Sequence, residues 1–429
     1  MATPTPTPAT ADEPAGRPAV PLWTRDFRYY FTARLVSLLG DAMLPVALMY
    51  GVVSLGYGAS GVGYVLASQM LPLAVFVLFG GVLADRFTPR RMMIGADALR
   101  LLVQGCAAAS FAVGHPPLWL LMGLAALSGT ATAAFQPGVA SVVPQVAVDL
   151  QRANATLRIA EAIATMGGPT LAALLLAVGD VATVLALDAG TFAVSGLCLL
   201  MLRLAPVPRP ARKASTWRNL VEGWHEFRSR TWLWAVIVVW VVNGLVAFGP
   251  IRPVTTVLVT GAYGAAGLGA VWTAFGAGNV LGGLLGVRLR PARPLAAGAT
   301  AMLVWALMPL SNALALPLWG RAACFAAGGA AWAFWSVMWA TSVQSHVPGE
   351  VLNRVYAYDV AGSLIAFPAG QALAGPVSEL LGARTAQTAS AVVATASFVV
   401  LLLVRAVRTL PRADRPRPAA APAPEPADA

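Results

Sequence analysis

The chain has 429 residues, of which 58% are hydrophobic and 11% charged, with mean hydropathy +0.71. That exceeds the roughly 45–50% apolar share of soluble domains and excludes an ordinary water-soluble fold. The net charge of +11 would suit a nucleic-acid partner only if the bases clustered among exposed aromatics; instead they sit in short turns between apolar blocks, so no nucleic acid is expected. Cys106, Cys198 and Cys324 each fall inside an apolar block, and His115, His225 and His346 lie in three different loops. Neither a disulfide framework nor a metal site follows.

A membrane-crossing helix needs about 20 mostly apolar residues, and Gly/Pro punctuation with charged turns marks off about twelve of them. In chain order the predicted spans are 30–55, 60–83, 93–113, 117–138, 156–178 and 181–203, then 232–257, 264–287, 295–314, 318–341, 356–380 and 386–408. The implied fold class is an all-α membrane protein. Residues 1–26, rich in Pro, Ala and Thr, and 410–429, rich in Pro and Ala, read as disordered tails. Between the sixth and seventh spans lies the most hydrophilic internal stretch, 205–230. Leu220, Trp224 and Phe227 recur there at helical spacing among Arg and Glu, which predicts an amphipathic helix on the membrane surface. The stretch divides the chain into a bundle over 27–204 and another over 231–409.

With the N-terminus placed in the cytoplasm, 23 of the 29 Lys and Arg residues fall on the inner side. The positive-inside rule then puts both termini in the cytoplasm. Arg is used almost to the exclusion of Lys, which suggests a GC-rich bacterial gene and a plasma-membrane location. Trp23, Trp119 and Trp319 fall where the aromatic belt would lie.

The halves echo one another. Val143-Pro144 with Leu150-Gln151-Arg152 follows the fourth span, and Val347-Pro348 with Leu352-Asn353-Arg354 follows the tenth. The turn after the second span, Gly80-Gly81-Val82-Leu83-Ala84-Asp85-Arg86-Phe87-Thr88-Pro89-Arg90-Arg91, has a partner after the eighth, Gly286 to Arg293, that keeps the bases and loses the acid. This charged turn resembles the loop between helices 2 and 3 of major facilitator superfamily transporters. Ser37-Leu38-Leu39-Gly40-Asp41, Phe135-Gln136-Pro137, Arg152-Ala153-Asn154-Ala155, Gln344 to Arg354 and Gly375-Pro376 resemble the bacterial drug:proton antiporter branch that includes enterobactin and macrolide exporters.

The resemblance implies two six-helix bundles related by pseudo-two-fold symmetry, rocking about a site near the membrane midplane. It implies a conformational latch formed by Gly81, Asp85, Arg86, Arg90 and Arg91, with Asp85 contacting the start of helix 11 near 355–359. Thr88 and Pro89 stand where the family prefers glycine and a base. Met166-Gly167-Gly168-Pro169-Thr170-Leu171-Ala172-Ala173 resembles the helix-5 signature of export branches, with alanines replacing the trailing glycines. Gly167, Gly168 and Pro169 are therefore expected to pack closely against a neighbouring helix.

Asp41 lies about thirteen residues past Arg28, roughly 20 Å into the hydrocarbon layer. An acid at that depth is a functional hypothesis by default, because a carboxyl removed from water favours its proton. Asp41 is the first candidate for proton coupling and Glu161 the second; the alternatives are a structural link from Asp41 to Arg34 and a local ion pair from Glu161 to Arg158. Asp97 and Arg100 have the spacing of a structural i, i+3 pair, while Asp188 and Asp359 are secondary candidates. The fourth span carries no arginine, so a proton relay must run differently from many antiporters. Asn243, Arg252, Asn279, Trp335 and Trp339 are candidates for a substrate cavity suited to apolar cargo with polar handles.

The reading is a secondary transporter that exports an amphipathic small molecule against inward protons. It works as a monomer in the lipid bilayer, with no cofactor beyond the proton gradient. No nucleotide-binding loop or catalytic constellation is present, so no enzyme activity is expected. Metabolite uptake and a non-transporting sensor or scaffold remain the alternatives.

Overall fold

A computed structural model describes residues 22–86, 88–147, 149–204, 224–225, 227–347 and 349–412. For 74, 77–86, 89, 137, 140–141, 151, 155, 349–361 and 363–365 it describes the backbone alone. The tails beyond these limits and most of the 205–230 linker lie outside the described residues.

The described chain is helical throughout. The helices are α1 (Arg25–Ser54), α2 (Gly58–Arg86), α3 (Pro89–Val113), α4 (Leu118–Val146), α5 (Leu150–Val178) and α6 (Val181–Met201), then α7 (Thr231–Asn243), α8 (Ile251–Arg288), α9 (Pro294–Trp305), α10 (Leu307–Ala313), α11 (Leu318–His346), α12 (Gly349–Leu381), α13 (Ala383–Leu403) and α14 (Arg405–Arg408). Among the described residues nine helical stretches are long and apolar enough to cross a membrane, one of them the 58 residues from Thr231 to Arg288. That stretch is bent at Gly264, whose φ of 64° suits only a residue without Cβ. Large apolar side chains such as Leu102, Leu174, Leu197 and Val400 are more than half exposed, as a lipid-facing surface requires.

The packing order repeats between the halves. α3 packs on α4 and α6, and α2 on α4; likewise α9 packs on α11 and α13, and α8 on α11. Contacts between the two groups pair α2 with α12 and α5 with α8, the exchange that a two-fold relation demands. The starts of α4 and α11 share Pro117-Leu118-Trp119 and Pro317-Leu318-Trp319, with both tryptophans exposed.

One end of the assembly carries Arg25, Arg28, Arg90, Arg91, Arg152, Arg288, Arg290 and Arg293 and is called here the basic end; the short turns at 55–57, 114–117 and 314–317 mark the far end. In the far half the two groups meet closely. A Cβ on Gly63 would strike the Gln371 carbonyl, and one on Gly375 would strike Ser60. Ser60 Oγ also donates to Glu379 Oε1 at 2.7 Å, and the Thr170 and Thr273 hydroxyls bond at 2.8 Å across the α5–α8 seam.

Candidate functional site

Two apolar clusters fill the α1–α6 group, one near the basic end around Phe27, Tyr30, Met93 and Leu199, the other in the far half around Met43, Val52, Ala107 and Leu185. Between them α1 and α3–α6 contribute polar groups: Arg34, Ser37 and Asp41 from α1, Asp97 and Arg100 from α3, Thr132 from α4, Glu161 from α5, Asp188 and Ser195 from α6. Asp41 is the seventeenth of the thirty residues of α1, about 24 Å from its start by helical rise.

Ion pairs organise this layer. Arg100 approaches Asp41 Oδ2 at 3.4 Å, donates to Thr132 Oγ1 at 2.8 Å, and lies over the rings of Phe135 and Phe192. Arg34 lies 3.8 Å from Glu161, which Arg158 also binds at 2.8 Å. Asp97 accepts from Ser195 Oγ at 2.6 Å. Asp188 is fully buried, and a Cβ on Gly40 would strike its Oδ1. Asp97 Oδ1, Asp188 Oδ2 and Arg100 Nε are buried without a protein partner.

The Arg158–Glu161 pair has the expected local geometry. The other pairings differ from the sequence expectation: Arg100 bonds Asp41 rather than Asp97, and Arg34 bonds Glu161 rather than Asp41. A long guanidinium stem reaches a neighbouring helix as easily as its own next turn, and here the better-oriented acceptors lie across the bundle. Sequence reasoning treated Arg100 as structural, although an arginine in α3 that reaches α4 is where the missing fourth-span arginine would have pointed.

The turn after α2 has a defined construction from Thr88 onward. Thr88 caps α3, its Oγ1 accepting from Arg91 N at 3.4 Å, and Pro89 takes the first helical position, where its missing N–H costs nothing. Arg90 donates to the Leu199 carbonyl at 2.9 Å and the Leu200 carbonyl at 2.5 Å. It thereby closes the negative end of α6. Arg91 is exposed. The surroundings of Gly81 and the side chains of Asp85, Arg86, Arg354 and Asp359 lie outside the described residues.

In α5, Gly168 lies against Ala42 of α1 so closely that a Cβ would collide, whereas Gly167 faces open space. Ala173 meets Gly269 of α8, and the Pro169 carbonyl lies on the same seam. The glycine absent from α5 is thus supplied by α8.

The other candidates separate. Asn243 is fully buried among the helices of the second group, donating to Val239 O at 2.8 Å and Ser397 Oγ at 2.6 Å. Trp335 stacks between Trp240 and Trp339, with centroids 4.8 and 6.0 Å away. Trp339 also meets Trp232 edge to face. Asn279 donates to the Phe275 carbonyl within α8.

Arg252 lines a cavity of about 180 Å³ between the groups, with Ala42, Pro45 and Met49 of α1, Thr165 and Pro169 of α5, and Trp272 of α8. Its position follows a π-helical turn, Gly244–Phe248, closed by Gly249 N donating to Gly244 O at 3.0 Å. Gly370 of α12 packs against that turn's carbonyls. Such turns re-phase a helix face and recur at functional sites.

The family description "Major Facilitator Superfamily" matches residues 30–366. The chain belongs to the major facilitator superfamily. Among curated members of the superfamily, it is 26% identical over 414 residues to multidrug efflux pump Tap of Mycobacterium tuberculosis, covering 90% of this chain and 96% of that one. It is 26% identical over 403 residues to enterobactin exporter EntS of Shigella dysenteriae, covering 88% and 91%. With the uncharacterized transporter YvqJ of Bacillus subtilis it shares 26% identity over 195 residues, 45% of this chain and 46% of that protein. The chain thus matches about half the length of YvqJ and nearly all of Tap.

Solved transporter structures share the fold. The nucleoside transporter NupG superposes with TM-score 0.72 at 13% identity, covering 90% of this chain and 100% of that one. A bacterial homolog of the human lysosomal transporter Spinster, in an inward-facing and unoccupied conformation, superposes with TM-score 0.66 at 12% identity, covering 90% and 97%.

Proposed function

We propose that this protein exports amphipathic small molecules from the cytoplasm of a bacterium in exchange for protons. The carrying observation is Asp41. It stands at the middle of a membrane-crossing helix with 37% of its side chain accessible, is paired to a buried arginine, and adjoins Ala42 of the cavity between the two groups. An acid so placed can exchange protons with water while a helix pair senses its charge. Tap and EntS, whose names describe efflux and export, support the direction.

The basic end faces the cytoplasm, in keeping with the positive-inside rule. With the far end packed shut, cargo enters from the basic end. Proton binding at Asp41 would then release Arg100, and loss of that proton would restore the pair, so the ion pair belongs to the unprotonated, cytoplasm-facing step. Both helix groups and their cavity lie within one chain, which suits a monomer driven by the proton gradient without a cofactor. Asp85 supplies the latch of this cycle, while Arg90 holds α3 to α6.

Asp41→Asn is expected to abolish proton-driven extrusion of dyes or antibiotics from an efflux-deficient host while the protein still inserts and purifies as a monodisperse species. Wild-type extrusion with an unchanged pH response would sink the assignment.

A further inference from the structure

Among the described residues that line it, the cavity between the helix groups presents two donors, Arg252 and Trp272, and no acid. Arg252 lies in α8 about 18 Å, or twelve residues, from the Gly264 bend. That puts a guanidinium within the membrane span. Among the described residues no carboxylate pairs with it; its guanidinium instead lies over the Trp272 ring, 4.4 Å from the centroid. The Trp272 indole N–H is itself buried without an acceptor. Thr165, the remaining polar side chain on the wall, has committed its hydroxyl proton to the Glu161 carbonyl at 2.7 Å.

Among the described residues the other arginines set within the spans have partners: Arg34 and Arg158 meet Glu161, Arg100 meets Asp41, and Arg321 donates to the Leu316 carbonyl at 2.8 Å. A buried cation without an anion is costly unless a ligand supplies one. The rest of the described wall is Ala42, Pro45, Val46, Met49 and Pro169, apolar groups that accept a hydrocarbon or aromatic body.

From this we infer that the cavity binds an amphipathic anion, a flat apolar molecule bearing a carboxylate or similar oxyanion, with the charge held by Arg252 and the body lying along Trp272 and the Ala42–Pro169 wall. The inference rests on the export reading and specifies its cargo class. The stacked guanidinium presents a planar fork to a two-oxygen acceptor. The π-helical turn before it, braced by Gly370, sets the side chain towards α1 and α5 rather than into the aromatic core of its own group.

The test uses the full chain in phosphatidylcholine nanodiscs without any gradient, and three matched probes: 2-naphthoate, its neutral amide and the corresponding naphthylmethylammonium. Naphthoate is expected to bind at least about ten-fold tighter than either of the others. Arg252→Gln is expected to erase that preference while leaving amide binding unchanged, and Arg252→Lys to keep part of it. Trp272→Phe preserves the stack and removes the N–H; it should weaken naphthoate alone, by a few-fold, and serves if Arg252→Gln fails to fold.

Equal binding of the three probes, a preference for the ammonium, or a naphthoate preference that survives Arg252→Gln would overturn the inference. So would displacement of naphthoate as phosphatidylglycerol replaces phosphatidylcholine, which would assign Arg252 to a lipid headgroup. These outcomes separate from failure of the export reading. Loss of anion preference with proton-driven efflux intact leaves an exporter of other cargo, whereas anion binding without any proton-driven movement leaves the site and removes the exporter.

Discussion

The two helix groups share a packing order and differ in what fills them. In α1–α6 the core is cut by a polar layer, with Arg34 and Arg100 set against Asp41, Asp97, Glu161 and Asp188. The middle of α7–α13 is closed by aromatic rings, Trp240 stacked on Trp335 and edge-on to Phe248 and Phe398, and nearer the far end neutral amides join the helices, Asn312 donating to Thr255 Oγ1 at 2.8 Å and to Gln387 Oε1 at 3.3 Å. Among the described side chains, the carboxylate–arginine pairs of the membrane interior lie in the first group and the stacked ring core lies in the second. Charges that change partners need water access and alternative acceptors, whereas a wall against which they move needs neither.

Arg100→Met should break this contrast most strongly. It leaves Asp41 without its cation, and because 37% of that side chain is accessible the cost falls to about 1–3 kcal/mol, below the ~3–5 kcal/mol of a fully buried pair. Thermal unfolding in detergent should show a loss of that order, and the double variant with Asp41→Asn should recover most of it, because removing both charges leaves none uncompensated. A double variant as unstable as Arg100→Met would mean that the arginine acts by packing over Phe135 and Phe192 rather than by charge.

Trp240→Ala probes the other side. It opens a void where four rings, Phe248, Trp332, Trp335 and Phe398, converge, with an expected cost of about 3 kcal/mol, and none of these rings belongs to the polar layer. Unfolding should therefore move down while the pH response of transport in the surviving protein keeps its wild-type shape. A shifted pH response would join the two regions into one device.

Much of this architecture could be read from the chain, for physical reasons that also explain what could not. Apolar blocks of membrane length and their charged turns are local, so the helices and the basic end were legible. Asp41 stood out because a carboxylate in the middle of such a block has few inert explanations, and Arg158 with Glu161 because both lie on one helix face. The Arg100–Asp41 pair joins residues 59 apart on different helices, and no periodicity reports such a contact. Asn243 and Trp335 lie in spans that are apolar on every face, so the pattern carries no information about which side meets the cavity. The π-helical turn was hidden for a related reason: Gly249 and Pro250 mark a break, but the direction in which the chain resumes depends on Gly370 of α12.

The helix starts extend the comparison to its smallest expected effect. In the first group Thr24, Thr88, Asp149 and Asp180 cap α1, α3, α5 and α6 with side-chain oxygens, whereas α9, α11 and α13 begin after Arg293, Pro317 and Gly382 with no such bond. Asp180 and Gly382 stand before repeat-related helices at the far end. Asp180 Oδ1 accepts from both the backbone N and the hydroxyl of Thr183, each at 2.7 Å. These bonds to the charged form hold its carboxyl below the ordinary value. Because the folded form is the more acidic one, the cap contributes fully above the ordinary aspartate range near pH 4 and is lost as pH falls through and below it. The site is exposed, so Asp180→Gly is expected to cost only a few tenths of a kcal/mol at neutral pH. Asp180→Ala should cost about 0.5–1 kcal/mol, and that cost should shrink as unfolding is measured at successively lower pH below about 4. A cost that persists there would assign the effect to backbone preference at the helix start, and the capping contrast between the repeats would then carry no electrostatic content.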